Sequence, residues 1–417
     1  MAQVQFWGGV GVIGSSKIVI EQDGWRVLLD FGLEFNPGAG LYREGIRPRD
    51  GYALADRLRA HDAPWLPSIY DPDLASGLTG LAFGNNHKTA VFITHAHLDH
   101  IGLTGYIDPA IPIWASPDTI RIMAAARRAG EQFEGHWPVI RSFEAEKPMS
   151  FGPFHITRYD VDHDIIGASG YQIMTDSGKV AFTGDIRLHG RHSEKSLRFA
   201  QQVKECKALV IEGTTLSFGF KESVRPEQQV DEDFARILGN TPGLILIAMF
   251  PRNLERIASF LKLAQRHERE FLWPLSTAAF LQAMGLAAIP ATAERLSGIK
   301  RHPERYVLQL DPGEWPAMLD LPLGPGAVFV HANGIPLGVF DPLWPVLQDW
   351  LTYVHTPFWP IGTGGHASPD GLRQLLDIIR PDIVFPLHSK EPDRLWPPPG
   401  TSRWLPERGR IYNLSMM

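Results

Sequence analysis

Short runs of alternating apolar and polar residues open the chain. Residues 17–22, KIVIEQ, set Ile18 and Ile20 against Val19 and Glu21, and Asp23-Gly24 separates them from the next apolar run, WRVLLD. Alternation interrupted by Asp-Gly predicts a hairpin, so residues 1–31 read as strands joined by hairpins. TAVFITH (89–95) predicts another strand feeding a turn. Between the two lie about fifty residues rich in Pro, Gly and Asp, with a helix expected at 52–60; a segment that long usually serves a function or acts as a lid. Further strands are expected at 154–160, 171–175, 179–185 and 208–213, with helices at 117–129 and 193–205, which indicates layered α/β architecture.

After Gly213 the rhythm becomes strand then helix. The apolar run 243–250 precedes NLERIASFLKLAQRH, where Leu254, Ile257, Ala258, Leu261 and Ala264 share one face. A second such strand is AVFVHA (327–332), and this pairing suggests a small parallel α/β unit. The first style returns with a helix at 368–380 and a strand at 382–388. The pattern therefore predicts one domain inserted into another: residues 1–213 and 356–417 form the host, and 214–355 the insertion.

Gly9, Gly11 and Gly14 in GGVGVIG spell G-x-G-x-x-G, the dinucleotide fingerprint, and Asp30 stands where its acidic partner would be. That motif needs a helix opening on its last glycine. A strand follows Gly14 instead, which excludes the nucleotide reading. The glycines are then turn residues of unusual φ or points of close backbone approach, and Asp30 ends a strand with no assigned role.

Composition narrows the chemistry. At 417 residues, 44% hydrophobic and 21% charged, the chain has the profile of a soluble protein large enough for two domains. Cys206 is the one cysteine, so any metal must be held by histidine and carboxylate rather than a thiolate cage. No signal sequence is legible and the apolar stretches are too short to cross a bilayer; a cytoplasmic protein without membrane attachment is expected. A net charge of −6 means that a polyanion would need a local basic patch.

The strongest chemical signal is ITHAHLDHIG (93–102). Alternate side chains at a strand end point the same way, so His95, His97 and Asp99 are expected to converge, with His100 following as the chain turns. Histidines suit Zn²⁺, and mixed imidazole and carboxylate also suit Mn²⁺ or Fe²⁺.

These residues resemble the signature of the metallo-β-lactamase superfamily, and the remaining motifs occur in order: His163 in YDVDHDIIGASGY, Asp185 in AFTGDIRLHG and His388 in IVFPLHS. The resemblance implies two divalent ions, Zn²⁺ or Mn²⁺. His95, His97 and His163 would hold one, Asp99, His100 and His388 the other, and Asp185 would bridge them. About two hundred residues separate Asp185 from His388, and such an insertion resembles the β-CASP branch of nucleic-acid-processing enzymes, in particular ribonuclease J. The implied fold is a four-layer αββα metallo-β-lactamase domain carrying an inserted α/β β-CASP domain. Glu212 in VIEGTT matches the branch's motif A, His366 in GTGGHASPDGL its motif B and His388 its motif C. Arg252, Asn253 and Arg256 in MFPRNLERI also resemble the nuclease branch. A glycine-rich stretch like GGVGVIG links the first two strands of the metal-binding domain in such chains.

Two departures stand out. Ribonuclease J carries a second histidine four residues before the motif B one, and here that residue is Gly362. The chain also stops soon after the last motif, so the family's C-terminal dimerisation domain is not expected, and a homodimer stays open.

The implied activity is metal-dependent hydrolysis of phosphodiester bonds in RNA, or alternatively in single-stranded DNA, by exo- or endonucleolytic cleavage. His366 is expected to touch the scissile phosphate or protonate the leaving oxygen, and Glu212 to orient a ligating histidine through a hydrogen bond. Asp185 and Asp99 complete the catalytic set. Arg187, Arg252, Arg256 and Ser368 are expected to contact substrate phosphate, Arg187 within a basic run that includes His189, Arg191, His192 and Lys195. The competing readings are a thioester or ester hydrolase on the same fold and a non-catalytic nucleic-acid-binding relative.

Overall fold

The Asp23-Gly24 turn forms as the pattern predicts, with φ of 53° and 75°; two consecutive left-handed residues match the twist of the flanking strands Lys17–Gln22 and Trp25–Leu29. The computed structural model describes residues 1–34, 40–42, 45–84, 86–218 and 224–417. The expected lid segment lies partly outside the described residues; its described part contains the helix Ala53–Arg59.

Two compact units emerge: Met1–Ile120 with Gln132–Glu222 and Gly365–Met417, and Arg121–Glu131 with Ser223–Gly364. The first holds two seven-stranded sheets. One runs Ile411–Asn413, Gln3–Gly8, Lys17–Gln22, Trp25–Leu29, Thr89–Phe92, Ile113–Ala115, Ile140–Ser142. The other runs Ser402–Arg403, Ile383–Leu387, Ala208–Glu212, Gly178–Phe182, Ser169–Thr175, Phe154–Asp160, Met149–Phe151. Their facing sides share one core, in which Phe6, Ile18, Ile20, Val27 and Phe92 meet Phe154, Ile173, Val180, Val210 and Phe385. The helices Ser193–Gln202 and Pro369–Ile379 cover the far side of the second sheet through Phe199, Leu372, Leu375 and Ile379. This is the layered metallo-β-lactamase architecture with an inserted α/β body that the motifs implied.

The second unit contains a six-stranded parallel sheet centred on Ile245–Met249, whose five residues are all buried, as suits a strand covered on both faces. In the helix Leu254–Arg266 the buried stripe is Leu254, Ile257, Phe260 and Ala264. Phe260 takes the place expected for Leu261 because its ring stacks on Phe234 of the neighbouring helix, with centroids 3.9 Å apart.

Strand pairing fixes where chemistry can occur. Trp25–Leu29 runs parallel to Thr89–Phe92, with Leu29 beside Phe92. Gly178–Phe182 and Ile383–Leu387 flank Ala208–Glu212 in parallel, with Glu212 beside Leu387. Asp30, the 93–100 segment, Asp185, Glu212 and His388 therefore all lie at or just beyond carboxyl ends of parallel strands, where open α/β sheets place their ligands.

Lys17 is an unusual guest in the first sheet: it is 2% exposed, and its Nζ donates to the Ser15 hydroxyl at 2.5 Å and the Ser15 carbonyl at 3.0 Å. Burial lowers its pKa to about 7. The unfolded chain, with a lysine pKa of about 10.4, binds the proton more readily in between, so the cost of burying the ammonium is fully present below pH 7 and fades as pH rises toward 10. Lys17→Met is accordingly expected to stabilise the protein at pH 6–7, by on the order of a few kcal/mol at most, and to lose that advantage near pH 10; chemical denaturation across this range measures it.

Candidate active site

The strand expected at 89–95 ends at Phe92. His95 and His97 project from the segment that follows, and Asp99 and His100 from a single helical turn, Leu98–Ile101. Strand alternation is therefore not what converges them. The chain leaves the sheet because Asp30 captures Thr94: Asp30 Oδ1 accepts from the Thr94 amide at 2.7 Å, and the Thr94 hydroxyl is 2.9 Å from Oδ2.

His95 Nε2 stands 3.0 Å from His97 Nδ1, which stands 3.3 Å from His163 Nε2. Asp99 Oδ2 is 3.1 Å from His388 Nε2 and 3.6 Å from His100 Nε2. Asp185 Oδ2 lies among both groups, 3.1 Å from His100, 3.7 Å from His163 and His388, and 3.8 Å from His95. The structure thus forms two candidate metal-holding groups, His95, His97, His163 and Asp185, and Asp99, His100, Asp185 and His388, each with its ligand atoms within 4.8 Å of one another.

At three of the candidate ligands the protonation state fits cation binding. Burial pushes His97 down to about 4 and lowers His95 and His163, so these imidazoles are neutral and carry lone pairs. His100 resists its burial because Asp185, Asp99 and Asp30 surround it and raise its pKa well above the usual value. Asp185, despite burial, is held well below the carboxylate range by His100 and its histidine neighbours. A concentration of lone pairs and carboxylates this deep in a protein calls for compensating positive charge, which divalent ions supply.

The outward ring nitrogens are fixed by partners that give the ligands their direction. His100 Nδ1 contacts Asp30 Oδ2 at 2.7 Å, His163 Nδ1 donates to the Gly365 carbonyl at 2.6 Å, and His388 Nδ1 meets the Thr214 hydroxyl at 2.7 Å. The sequence reading missed Asp30, Thr94 and Thr214 in this role. The available signal for Asp30 was a carboxylate ending an apolar strand that runs beside the one feeding His95.

Glu212 makes no direct hydrogen bond to a ligating histidine, contrary to the sequence expectation. Its Oε2 accepts from the Thr214 amide at 2.8 Å and its Oε1 from the Ala367 amide at 3.0 Å, and Oε2 lies 3.4 Å from His366 Nδ1. It therefore acts on His388 through Thr214 and directly on His366. Burial opposes a charge on His366, but Glu212 and Asp185 outweigh it and lift its pKa to about 9.

The expected phosphate contacts meet a different environment. Arg187 is 1% exposed and its Nε donates to Asp162 at 3.1 Å. Arg256, also 1% exposed, is bound by Glu227 at 2.6 Å and by the Ala332 and Thr363 carbonyls. Both are structural cross-links, because a phosphate could reach neither without displacing a buried partner. Arg252 pairs with Glu131 at 2.7 Å, and Ser368 caps the helix Pro369–Ile379 by accepting from the Gly371 amide. At Gly362, where the family's second motif B histidine would stand, an added Cβ would lie 1.7 Å from Asn333 Oδ1; Asn333 closes this position to any side chain.

The opening glycine motif serves the same site. The Gly9 carbonyl accepts from the His388 amide at 2.8 Å, and the Ser16 amide donates to the Asp99 carbonyl at 2.9 Å. Gly14, at φ 82°, sits so close that a Cβ would be 2.8 Å from Asp99 Oδ2. The loop braces two candidate ligands, one from each sheet.

Comparison with known proteins agrees with this geometry. Residues 82–220 match the beta-lactamase superfamily domain. The chain is 32% identical over 397 residues to ribonuclease J of Sinorhizobium meliloti, covering 86% of this chain and 67% of that protein. The chain belongs to the ribonuclease J family. A second member, from Pyrococcus abyssi, is 22% identical over 428 residues, covering 94% of this chain and 90% of its own length. Among solved structures, a protein of unknown function from Enterococcus faecalis V583 superposes with a TM-score of 0.82 at 27% identity, covering 99% of both chains. Membership makes the chain a hydrolase of the nuclease class. Among the described residues no helix is long and apolar enough to cross a membrane.

Asp30→Asn is expected to weaken divalent-metal binding at the His100 group by about 10- to 100-fold, because the neutral amide holds His100 less firmly; metal content after dialysis against buffered Mn²⁺ or Zn²⁺ reads the loss.

Proposed function

We propose that this chain hydrolyses phosphodiester bonds in RNA at the His95–His388 cluster. The observation that carries the reading is the single oxygen Asp185 Oδ2 within 4 Å of imidazole nitrogens from both ligand groups, so that Asp185 would be shared by the ions the two groups would hold. His95, His97 and His163 would hold one divalent ion, and Asp99, His100 and His388 the other, Zn²⁺ and Mn²⁺ both suiting the mixed imidazole and carboxylate set. When bound, such a pair supplies Lewis acidity at the phosphate and lowers the pKa of a water.

The chain's own residues supply orientation and a proton. Asp185 keeps the two ligand groups in register, and the Asp30, Gly365 and Thr214 contacts keep the histidines pointed inward. His366 stands 3.8 Å from Asp185 Oδ2, remains 23% exposed and has a pKa of about 9. Glu212 and Asp185 favour its charged form, and with Nδ1 turned to those carboxylates it would donate a proton from Nε2 to a leaving oxygen. Glu212 stabilises that charged form and, through the Ala367 amide, fixes the backbone beside it. The ribonuclease J relatives support RNA as the substrate.

Matched 5′-labelled RNA and DNA strands, resolved at single nucleotides, test this reading. RNA cleavage should vanish in EDTA, return with Mn²⁺ or Zn²⁺, and fall by on the order of 10³-fold in Asp185→Asn. Metal-independent cleavage, or full activity in that variant, would sink it, and preferential cleavage of DNA would reassign the substrate.

A further inference from the structure

Asp164 lies directly after His163 and belongs to neither ligand group. Its side chain is 18% exposed, and its Oδ1 is buried without a hydrogen-bond partner among the described residues. That oxygen stands 3.3 Å from His163 Nε2 and 3.6 Å from His97 Nε2. A buried, unsatisfied carboxylate oxygen is costly unless a donor or cation answers it.

The hydrogen-bond directions around the histidines show which donor that is. The Gly365 carbonyl can only accept, so His163 carries its hydrogen on Nδ1 and a lone pair on Nε2. The Thr94 hydroxyl has one hydrogen, which goes to Asp30, so its oxygen accepts from His95 Nδ1 and leaves the His95 lone pair on Nε2. His97 Nδ1 faces both of these lone pairs, at 3.0 and 3.3 Å. A proton on Nδ1 would satisfy one of them and turn the bare Nε2 of neutral His97 toward the Asp164 carboxylate. A cation shared by the three nitrogens removes the conflict: His97 then ligates through Nδ1 and presents Nε2–H to Asp164.

We propose that Asp164 is the positioning residue of His97: its carboxylate takes the Nε2–H, fixes Nδ1 as the ligating atom and offsets part of the charge of the ion held with His95 and His163. This rests on the two-metal reading above. At 3.6 Å the contact is longer than a hydrogen bond and closes with a shift of roughly half an ångström. Gly365 leaves room for Asp164 beside His163: a Cβ there would fall 2.7 Å from Asp164 Cγ and 2.5 Å from His163 Cε1.

The test compares full-length wild type, Asp164→Asn and Asp164→Ala, measuring bound Mn²⁺ over a range of buffered free concentrations and the visible absorption of the Co²⁺-loaded proteins. Wild type should hold two ions. Both variants should keep one and bind the other about 10- to 100-fold more weakly, with an altered Co²⁺ band. His163→Ala, which removes a ligand of the same ion, should reproduce the one-ion protein. Variants that hold both ions at wild-type affinity with an unchanged Co²⁺ spectrum overturn the role of Asp164 and leave the two-metal reading standing. A wild type that holds fewer than two ions overturns both. If Asp164→Ala does not fold, the isosteric Asp164→Asn decides alone.

Discussion

Everything at the functional end of this protein depends on gathering polar and ionisable groups away from water. Asp99 and Asp185 share a buried site with five imidazoles, and ring nitrogens of His95, His97 and His163 crowd to 3.0 and 3.3 Å of one another. Such a cluster is unfavourable in an interior of low polarizability without compensating charge. The fold must therefore oppose its dispersal until a cation neutralises it, and most of the local structure can be understood as that opposition.

The opposition is built from both sheets. Parallel strand ends deliver Asp30 and the 93–100 segment from one sheet and Asp185, Glu212 and His388 from the other, while the shared core of Phe6, Phe92, Tyr171 and Phe385 holds the sheets face to face. The Gly9–Ser16 loop then ties the two edges together through His388 and Asp99. His388 and Asp30 both sit at left-handed φ, 56° and 59°. Backbone strain of this kind in non-glycine residues persists only where the surroundings over-determine it. Here the Gly9 carbonyl holds the His388 amide, and Thr94 and His100 hold the Asp30 carboxylate.

Legibility in the sequence followed the range of the interaction. The hairpin at Asp23-Gly24 and the continuous apolar run of Ile245–Met249 are local patterns, and both were readable. His95, His97, Asp99 and His100 cluster within six residues and announced themselves as ligands. Glu212 was read as a group touching a ligating histidine, but the amides of Thr214 and Ala367 claim its oxygens. Arg187 and Arg256 looked like phosphate contacts because their charge was visible and their partners were not. Asp162 and Glu227, which bury them, lie 25 and 29 residues away along the chain. The glycine motif matched a nucleotide pattern by letter, and only the strand after it showed that its backbone had another task.

The chemistry was written along the chain, as residue types, their order and their nearness to strand ends, because hydrophobic periodicity and short-range motifs are properties of neighbours in sequence. Partnership came from the packing of distant segments. That Asp30 directs His100, that Thr214 directs His388, that Asn333 closes position 362 and that Asp164 faces His97 depend on pairings across the sheets and between distant loops. Hydrogen bonds and ion pairs act over a few ångströms in space, and no spacing in the chain records which side chains the packed core brings within that reach.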